Sequence, residues 1–476
     1  MKKTALVFGL AGVLGLVALL LTLVPLIPRP GTSPLATPTP TPTPTPIQVS
    51  PPPGPQTGGD ILKLTASLSD PYVLAGSTRE VFLRADVEAA RVASGERAPI
   101  NLALVLDRSG SMAGEKISQA RRAARQLVQQ LDERDRFSLV TFGSDVTTLI
   151  SSTLATAGAK ERMLASIEGI AELGGTNLSG ALEAGLAEVV AYRSQYNLSR
   201  IVLLSDGQAN EGITSPAGLA ALARRVSSQG LTLSSIGVGL DFNESVMEAL
   251  SEHGGGSYHF LNDAEQLAGI FAGELKQAVA TVAVGPALTI TPSPGVTVAE
   301  VYAYLWEPQG AATSVRLPDF TSGQTRKIVV RLLVPASSPG NLEVARVGLS
   351  YLDVTRNRAP GSVQVAVSAA VTPDSTLAAN SRNKDVAAVA AHATALQSLR
   401  KASLSAQEGR RDEAETNLRQ AQKVLQQAQS DYGKNAEYDQ ALGEAQAFEG
   451  ALAAPAGSSA VNAGAKRIHA FSNSAR

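Results

Sequence analysis

The chain has 476 residues, which is long for a single hydrophobic core and predicts about two to four domains. Its 41 lysines and arginines balance 42 aspartates and glutamates, so no overall charge favours nucleic acid, which is not expected as a partner. The absence of cysteine excludes disulfides, thiolate metal sites and cysteine nucleophiles.

The first 28 residues predict a membrane segment. Two lysines precede an uncharged, Leu/Val-rich run from Ala5 to about Ile27, which is long enough to cross a bilayer. The run lacks a clear cleavage site, which favours an uncleaved signal anchor over a cleaved signal peptide. Because lysines stay in the cytoplasm, we expect the rest of the chain outside, anchored at the cell surface, or secreted if cleavage occurs. Residues 29–59 carry five consecutive Thr-Pro pairs and predict an extended stalk, or a disordered linker without a spacing role.

The remaining sequence divides into three kinds of pattern. From residue 99 to 283, apolar strand-length runs alternate with amphipathic helices, which is typical of a doubly wound, mostly parallel α/β sheet, here of six strands. Two strand-length pieces in residues 60–98 and about five in 284–373 predict one β-sandwich that the α/β domain interrupts. Helical periodicity over 376–452 predicts a helical hairpin region, and the tail, 453–476, carries no clear pattern.

Oxygen-bearing side chains cluster where the first strand of the α/β domain ends. Asp107, Ser109 and Ser111 follow the apolar run INLALVLD at every second residue, so they can aim one carboxylate and two hydroxyls at one point. Hard oxygen ligands suit Mg²⁺, which takes six ligands and keeps several waters. Thr176, in GGTNLSG, and Asp206, in LLSDGQAN, can add to them. Because ligands bind at the carboxyl ends of strands in such sheets, we expect these loops at one edge.

The motifs DRSGSM, GGTNL and SDGQAN, in this order, resemble the metal-ion-dependent adhesion site of the von Willebrand factor type A domain. The resemblance covers about residues 100–283. It implies a Mg²⁺ ion, with Mn²⁺ or Ca²⁺ as alternatives, and Asp206 close by. The residues that would surround the metal are Asp107, Ser109, Ser111 and Thr176. It also implies that an Asp or Glu side chain of a protein partner completes the metal coordination. The alternative is that these residues only cap strand ends and turns.

The wider arrangement is similar to bacterial secreted or anchored proteins labelled calcium-activated chloride channel homologues, a label that does not establish a function. Insertion of the type A domain into a sandwich also resembles integrin β chains and inter-α-trypsin inhibitor heavy chains. The sequence therefore predicts a metal-dependent adhesion or assembly module. The alternative function is a structural scaffold whose metal site is vestigial or only stabilising. Oligomeric state is left open.

No enzyme is predicted. Of the four histidines, His253 and His259 lie close together in sequence, in EHGGGSYHF. That segment has neither the H-E-x-x-H spacing of zinc proteases nor the G-x-S-x-G elbow of α/β-hydrolases. A phosphate-binding G-x-x-x-x-G-K-[ST] loop is absent from the sequence. We therefore assign no catalytic residues.

Overall fold

A computed structural model describes residues 56–58, 60–92, 97–239, 242–261 and 264–474. The predicted anchor, residues 1–28, lies outside the described residues. Within the described ranges, no helix is long and apolar enough to cross a membrane. The longest helix among them, Lys384–Gln407, carries two lysines, an arginine and an aspartate, which are costly in a bilayer. The described helices therefore give no support to the predicted membrane-anchored, extracytoplasmic localisation.

The chain begins, in its described part, with strands whose apolar residues alternate. Val81, Leu83, Ala85 and Val87 are all buried, while the residues between them are partly exposed, because successive side chains of a strand point to opposite faces. The four strands of this segment are β1 (Gln56–Gly58), β2 (Leu62–Leu68), β3 (Tyr72–Leu74) and β4 (Thr78–Ala89).

The α/β unit follows, and the four inner strands of its sheet are almost continuously buried because helices cover both faces. Its described strands are β5 (Ile100–Asp107), β6 (Arg136–Phe142), β7 (Val146–Leu154), β8 (Leu198–Ser205), β9 (Thr232–Val238) and β10 (Gly255–Leu261). Its described helices are α1 (Glu115–Gln130), α2 (Ala157–Glu168), α3 (Leu178–Val190), α4 (Pro216–Ser228), α5 (Glu244–Gly254) and α6 (Leu267–Ala280).

These strands form a six-stranded sheet, in the described part of the chain, with the order β10-β9-β8-β5-β6-β7. All neighbours pair in parallel except β6 and β7, which form an antiparallel hairpin. Neighbouring residues of β5 pack into hydrophobic cores on opposite faces of the sheet. Leu104 packs with α1 and α6, and Val105 packs with α3. Because β5 and β8 pair in parallel, their carboxyl ends lie side by side at one edge of the sheet.

The chain then returns to the sandwich. The described strands of this segment are β11 (Thr281–Pro292), β12 (Thr297–Val301), β13 (Trp306–Gln309), β14 (Ala312–Arg316), β15 (Phe320–Thr321), β16 (Thr325–Pro335), β17 (Gly340–Asp353) and β18 (Ala359–Thr372). One sheet has the order β1-β2-β4-β16-β12, and the other has the order β13-β14-β11-β17-β18-β3, with β15 beside β11. Leu83 and Val330 of the first sheet share one core with Leu288 and Val347 of the second. The predicted fold class is confirmed; the exact domain boundaries stay predictions.

Helices complete the described chain: α7 (Ser375–Asn380), α8 (Lys384–Gln407), α9 (Arg411–Tyr432), α10 (Ala436–Leu452) and α11 (Ser459–Ser474). The hairpin of α8 and α9 turns at Gly409, whose positive φ of 74° suits glycine. Helix α11 lies in the tail in which the sequence showed no pattern. It buries Val461, Ala465 and Ile468 against the other helices, and Ser403 of α8 donates a hydrogen bond to the carbonyl of Ala465.

Candidate metal centre

Strand β5 delivers Asp107 to the edge of the sheet. The residue is fully buried, and both of its carboxylate oxygens are engaged. The amide of Ser109 donates to Oδ1 at 2.8 Å, and the hydroxyl of Ser205, from the end of β8, donates to Oδ2 at 2.5 Å. The orientation of this carboxylate is therefore set by its own loop and by the neighbouring strand.

Backbone and side-chain hydrogen bonds hold the three motif loops together. The amide of Gly110 donates to the carbonyl of Gly174 at 3.1 Å, which joins the first loop to the second. The amide of Thr176 donates to Oδ1 of Asn210 at 2.8 Å, and the amide of Asn210 returns a bond to the carbonyl of Thr176 at 3.2 Å. The second and third loops are thereby joined as well, so all three form one surface.

The hydroxyls of these loops converge beside Gly207. Ser109 Oγ lies 3.1 Å from Ser111 Oγ, and Ser111 Oγ donates to Oδ1 of Asp206 at 2.7 Å. A methyl group built on Gly207 would lie 3.4 Å from Ser111 Oγ, 3.5 Å from Thr176 Oγ1 and 4.0 Å from Ser109 Oγ. The structure thus brings together all five residues that the sequence predicts as the site. Their role as metal ligands stays a prediction.

Two buried carboxylates give the site its charge. Burial raises the pKa of Asp107, and the nearby charge of Asp206 raises it further. Asp206 is fully buried too, and its Oδ2 accepts from Lys116 Nζ, in the first turn of α1, at 2.5 Å. Two carboxylates against one ammonium leave an excess of negative charge. Together with three neutral hydroxyls, this donor set suits a hard divalent cation that keeps waters or an outside ligand.

Sequence reasoning missed Ser205 and Lys116. Ser205 directly precedes Asp206, but only the parallel pairing of β5 with β8 shows that its hydroxyl reaches Asp107. Lys116 lies on α1, and nothing in the local pattern indicates that its side chain reaches the end of β8. Among the described residues, no group of three or more His, Cys, Asp or Glu side chains is placed to hold a metal. A cation at this edge would therefore depend on hydroxyl ligands.

We expect Gly207→Ala to weaken Mg²⁺ binding by at least about tenfold, because its methyl group would occupy the point at which the hydroxyls converge. All three distances correspond to ordinary van der Waals contact, so the fold should accept the methyl group. Isothermal titration calorimetry of Mg²⁺ into the full chain measures the effect. The matched control is Gly269→Ala on α6, where the added carbon meets no atom within 4 Å. Equal affinity for both variants would contradict the site.

Comparison with known proteins identifies the family of the domain that carries this edge of the sheet. Residues 101–273 match the family model of the von Willebrand factor type A domain. An uncharacterized protein of Synechocystis, sll0103, is 29% identical over 304 residues, which cover 61% of this chain and 71% of that protein. Human inter-alpha-trypsin inhibitor heavy chain H4 is 32% identical over 164 residues, but these span only 33% of this chain and 18% of that protein.

A solved structure shares the fold over most of the chain. The structure described as a von Willebrand factor type A from Catenulispora acidiphila superposes with a TM-score of 0.69 and covers 88% of this chain and 98% of its own. Its sequence identity is 18%, so the likeness concerns the fold alone. None of these three is described as a chloride channel.

Proposed function

Because residues 101–273 form a von Willebrand factor type A domain, we propose that this chain is a binding protein whose partner contact depends on a divalent cation. Domains of this family act in protein binding and adhesion. The observation that carries the proposal is the convergence of three hydroxyls on one point, beside a buried carboxylate and at the carboxyl edge of the sheet. Mg²⁺ is the cation that we assign to it, with Mn²⁺ or Ca²⁺ as alternatives.

Each residue has a distinct part in this proposal. Asp107 supplies the carboxylate that faces the cation, and Ser205 and the amide of Ser109 hold it in place. Ser109, Ser111 and Thr176 supply neutral oxygens, so they add no negative charge. Asp206 stays behind Ser111, where Lys116 offsets its charge.

A cation bound to so few negative groups would attract a further carboxylate. We therefore propose an Asp or Glu side chain of a protein as the group that is captured.

An enzymatic function is not proposed. His259 hydrogen-bonds through Nε2 to Oε1 of buried Glu274 at 2.7 Å, and His253 lies beside Arg224 at 3.4 Å. Burial lowers the pKa of His253, and the positive charge of Arg224 lowers it further. Domains of this family are generally interaction modules. The second candidate is a structural scaffold in which the metal site only stabilises the fold.

Metal dependence of partner capture separates the two functions. We expect the immobilised full chain to retain a protein from an extract of its source cells in Mg²⁺, and to lose it in EDTA. Thr176→Val replaces the hydroxyl assigned to the cation with a methyl group of similar size. This variant should fail to retain the partner even in Mg²⁺. Glu161→Ala is the control, since Glu161 is an exposed carboxylate on α2, outside the three motif loops. Capture that persists in EDTA and in Thr176→Val would favour the scaffold.

A further inference from the structure

A cavity of about 310 Å³ lies where the α/β unit, the sandwich and the last helix meet. Its wall includes residues of α5 and β10 from the α/β unit, of β14 and β16 from the sandwich, and Ala470 of α11. Its volume is at the lower end of the range for small-molecule sites, which are typically about 300–1,000 Å³. It is distinct from the candidate metal centre and shares no residue with it.

The carboxylates that line this cavity are already paired. Oε1 of Glu248 lies 2.7 Å from Nη2 of Arg400 on α8, and the same guanidinium lies 3.6 Å from Oε1 of Glu252. Nε2 of His469, from α11, lies 2.7 Å from the other oxygen of Glu248. The negative charge on this wall is therefore partly offset by the guanidinium of Arg400, which belongs to the helical region.

Among the described residues, neither arginine that lines the cavity is paired with a carboxylate. Arg316 donates from Nη1 to the hydroxyl of Ser227 at 3.0 Å, and Arg326 donates from Nη2 to the carbonyl of Asp319 at 3.5 Å. Within the described residues, no carboxylate oxygen lies in ion-pair distance of either one. Arg326 Nε is buried and makes no hydrogen bond there, and the same holds for the hydroxyl of Tyr304, which is 7% exposed.

Buried donors without acceptors are rare in folded proteins because each costs desolvation energy. Here one guanidinium nitrogen and one phenol share the wall of the same cavity with a second, solvent-exposed arginine. We propose that this cavity binds a small ligand that carries an oxyanion, a carboxylate or a phosphate, through Arg316, Arg326 and Tyr304. Guanidinium groups match such oxyanions geometrically as well as in charge. The ligand would supply the acceptors that the protein lacks.

Binding should stabilise the folded chain, because the wall comes from segments that are far apart in sequence. Arg316 and Arg326 belong to the sandwich, whereas Glu248 and Ala470 come from the α/β unit and the last helix. A ligand that binds only the folded arrangement raises the unfolding temperature in a concentration-dependent way. This effect does not require the divalent-cation site, so it can be measured without Mg²⁺.

The test is thermal unfolding and calorimetric titration of the full chain in buffer free of divalent cations. The probes are sodium phosphate and sodium succinate, against uncharged succinamide and against sodium chloride at equal ionic strength. We expect a saturable rise in unfolding temperature with phosphate, with succinate or with both, and none with the two controls. The stronger of the two oxyanions identifies which group the cavity prefers.

Two variants test the assigned residues. Arg326→Gln should weaken binding of the stronger oxyanion by at least about tenfold, because it removes a charged donor. Tyr304→Phe removes a hydroxyl that has no partner in the described structure, so it should keep the fold while weakening binding a few fold. Arg346→Gln is the control, because that arginine is 58% exposed on β17. No saturable response to either oxyanion, or equal affinity in wild type, Arg326→Gln and Tyr304→Phe, would overturn the proposal.

Discussion

Asp107→Ala is expected to lower the affinity of the full chain for Mg²⁺ by more than about a hundredfold, to a level that calorimetry does not detect. The substitution removes the buried carboxylate that we assign to the cation, two residues before the first of the three converging hydroxyls. Loss of groups that only support a metal ligand typically costs about 10–100-fold in affinity, so loss of the ligand itself should cost more. Partner capture in Mg²⁺ should disappear with it.

The fold should survive this change. Burial, together with the charge of Asp206, raises the pKa of Asp107 above its usual range, so the folded chain holds a proton there more tightly than the unfolded chain. The contribution of this carboxylate to the unfolding free energy therefore decreases as pH rises through its pKa. At neutral pH, removing it does not remove a stabilising charge. Circular dichroism checks the fold, and Glu161→Ala, which removes an exposed carboxylate on α2, is the control. Undiminished Mg²⁺ binding by folded Asp107→Ala would rule out the assigned site.

Glu274→Gln is expected to reduce the free energy of unfolding by about 3–5 kcal/mol, the usual cost of breaking a buried ion pair. Glu274, on α6, is 3% exposed and accepts from Arg200 of β8 at 3.0 Å, Ser234 of β9 at 2.8 Å and His259 of β10 at 2.7 Å. It thus ties α6 to three adjacent strands. A glutamine would leave the guanidinium of Arg200 buried without a carboxylate at this position.

Urea denaturation measures this loss, and Glu183→Gln is the matched control. Glu183 and Arg225 form an ion pair with the same 3.0 Å separation, but each side chain is 51% exposed. Exposed pairs contribute about 0–1 kcal/mol, so the control should hardly change the unfolding midpoint. Similar losses of unfolding free energy in both variants would mean that burial does not determine how strongly the ion pair of Glu274 with Arg200 stabilises the fold.

The difference in unfolding free energy between wild type and Glu274→Gln should depend on pH, in a direction set by the pKa of Glu274. Burial alone raises the pKa of Glu274, but the hydrogen bond from His259 and the charge of Arg200 outweigh it and lower the pKa from 4.5 to about 2. The unfolded chain therefore takes up this proton at a higher pH than the folded chain. The stabilisation is complete above about pH 4.5 and is lost as pH falls through about 2. The stability difference between wild type and Glu274→Gln should shrink over that interval; a constant difference would contradict the shift.

The elements that the sequence predicted well are those with a long, regular pattern. The strand INLALVLD is β5, and the helical stripe that follows it is α1. Strands β1 and β3 have three residues each, and β15 has two, so they are too short to show an alternation of apolar residues. Helix α11 was missed because small residues dilute its apolar stripe, although Val461, Ala465 and Ile468 recur at helical spacing. The localisation inferred from the N-terminal run finds no support among the described helices.

For the candidate site, the residues that share a loop or a strand end could be named from the chain alone. Asp107, Ser109 and Ser111 follow from alternation along an extended segment, and Asp206 follows from the end of an apolar strand. The contacts of Ser205 and Lys116 could not be named, because their partners lie 98 and 90 positions away along the chain.

Periodicity and short motifs depend only on the order of residues, so they predicted the α/β unit, the sandwich and the loops of the candidate metal site. Contacts between distant segments depend on register and packing, which no short stretch encodes. The pairing of β5 with β8 brings Ser205 to Asp107, and docking of α11 places Ala470 at the cavity that Arg316 and Arg326 line. These arrangements arise because burying apolar faces from several elements at once permits only one mutual placement.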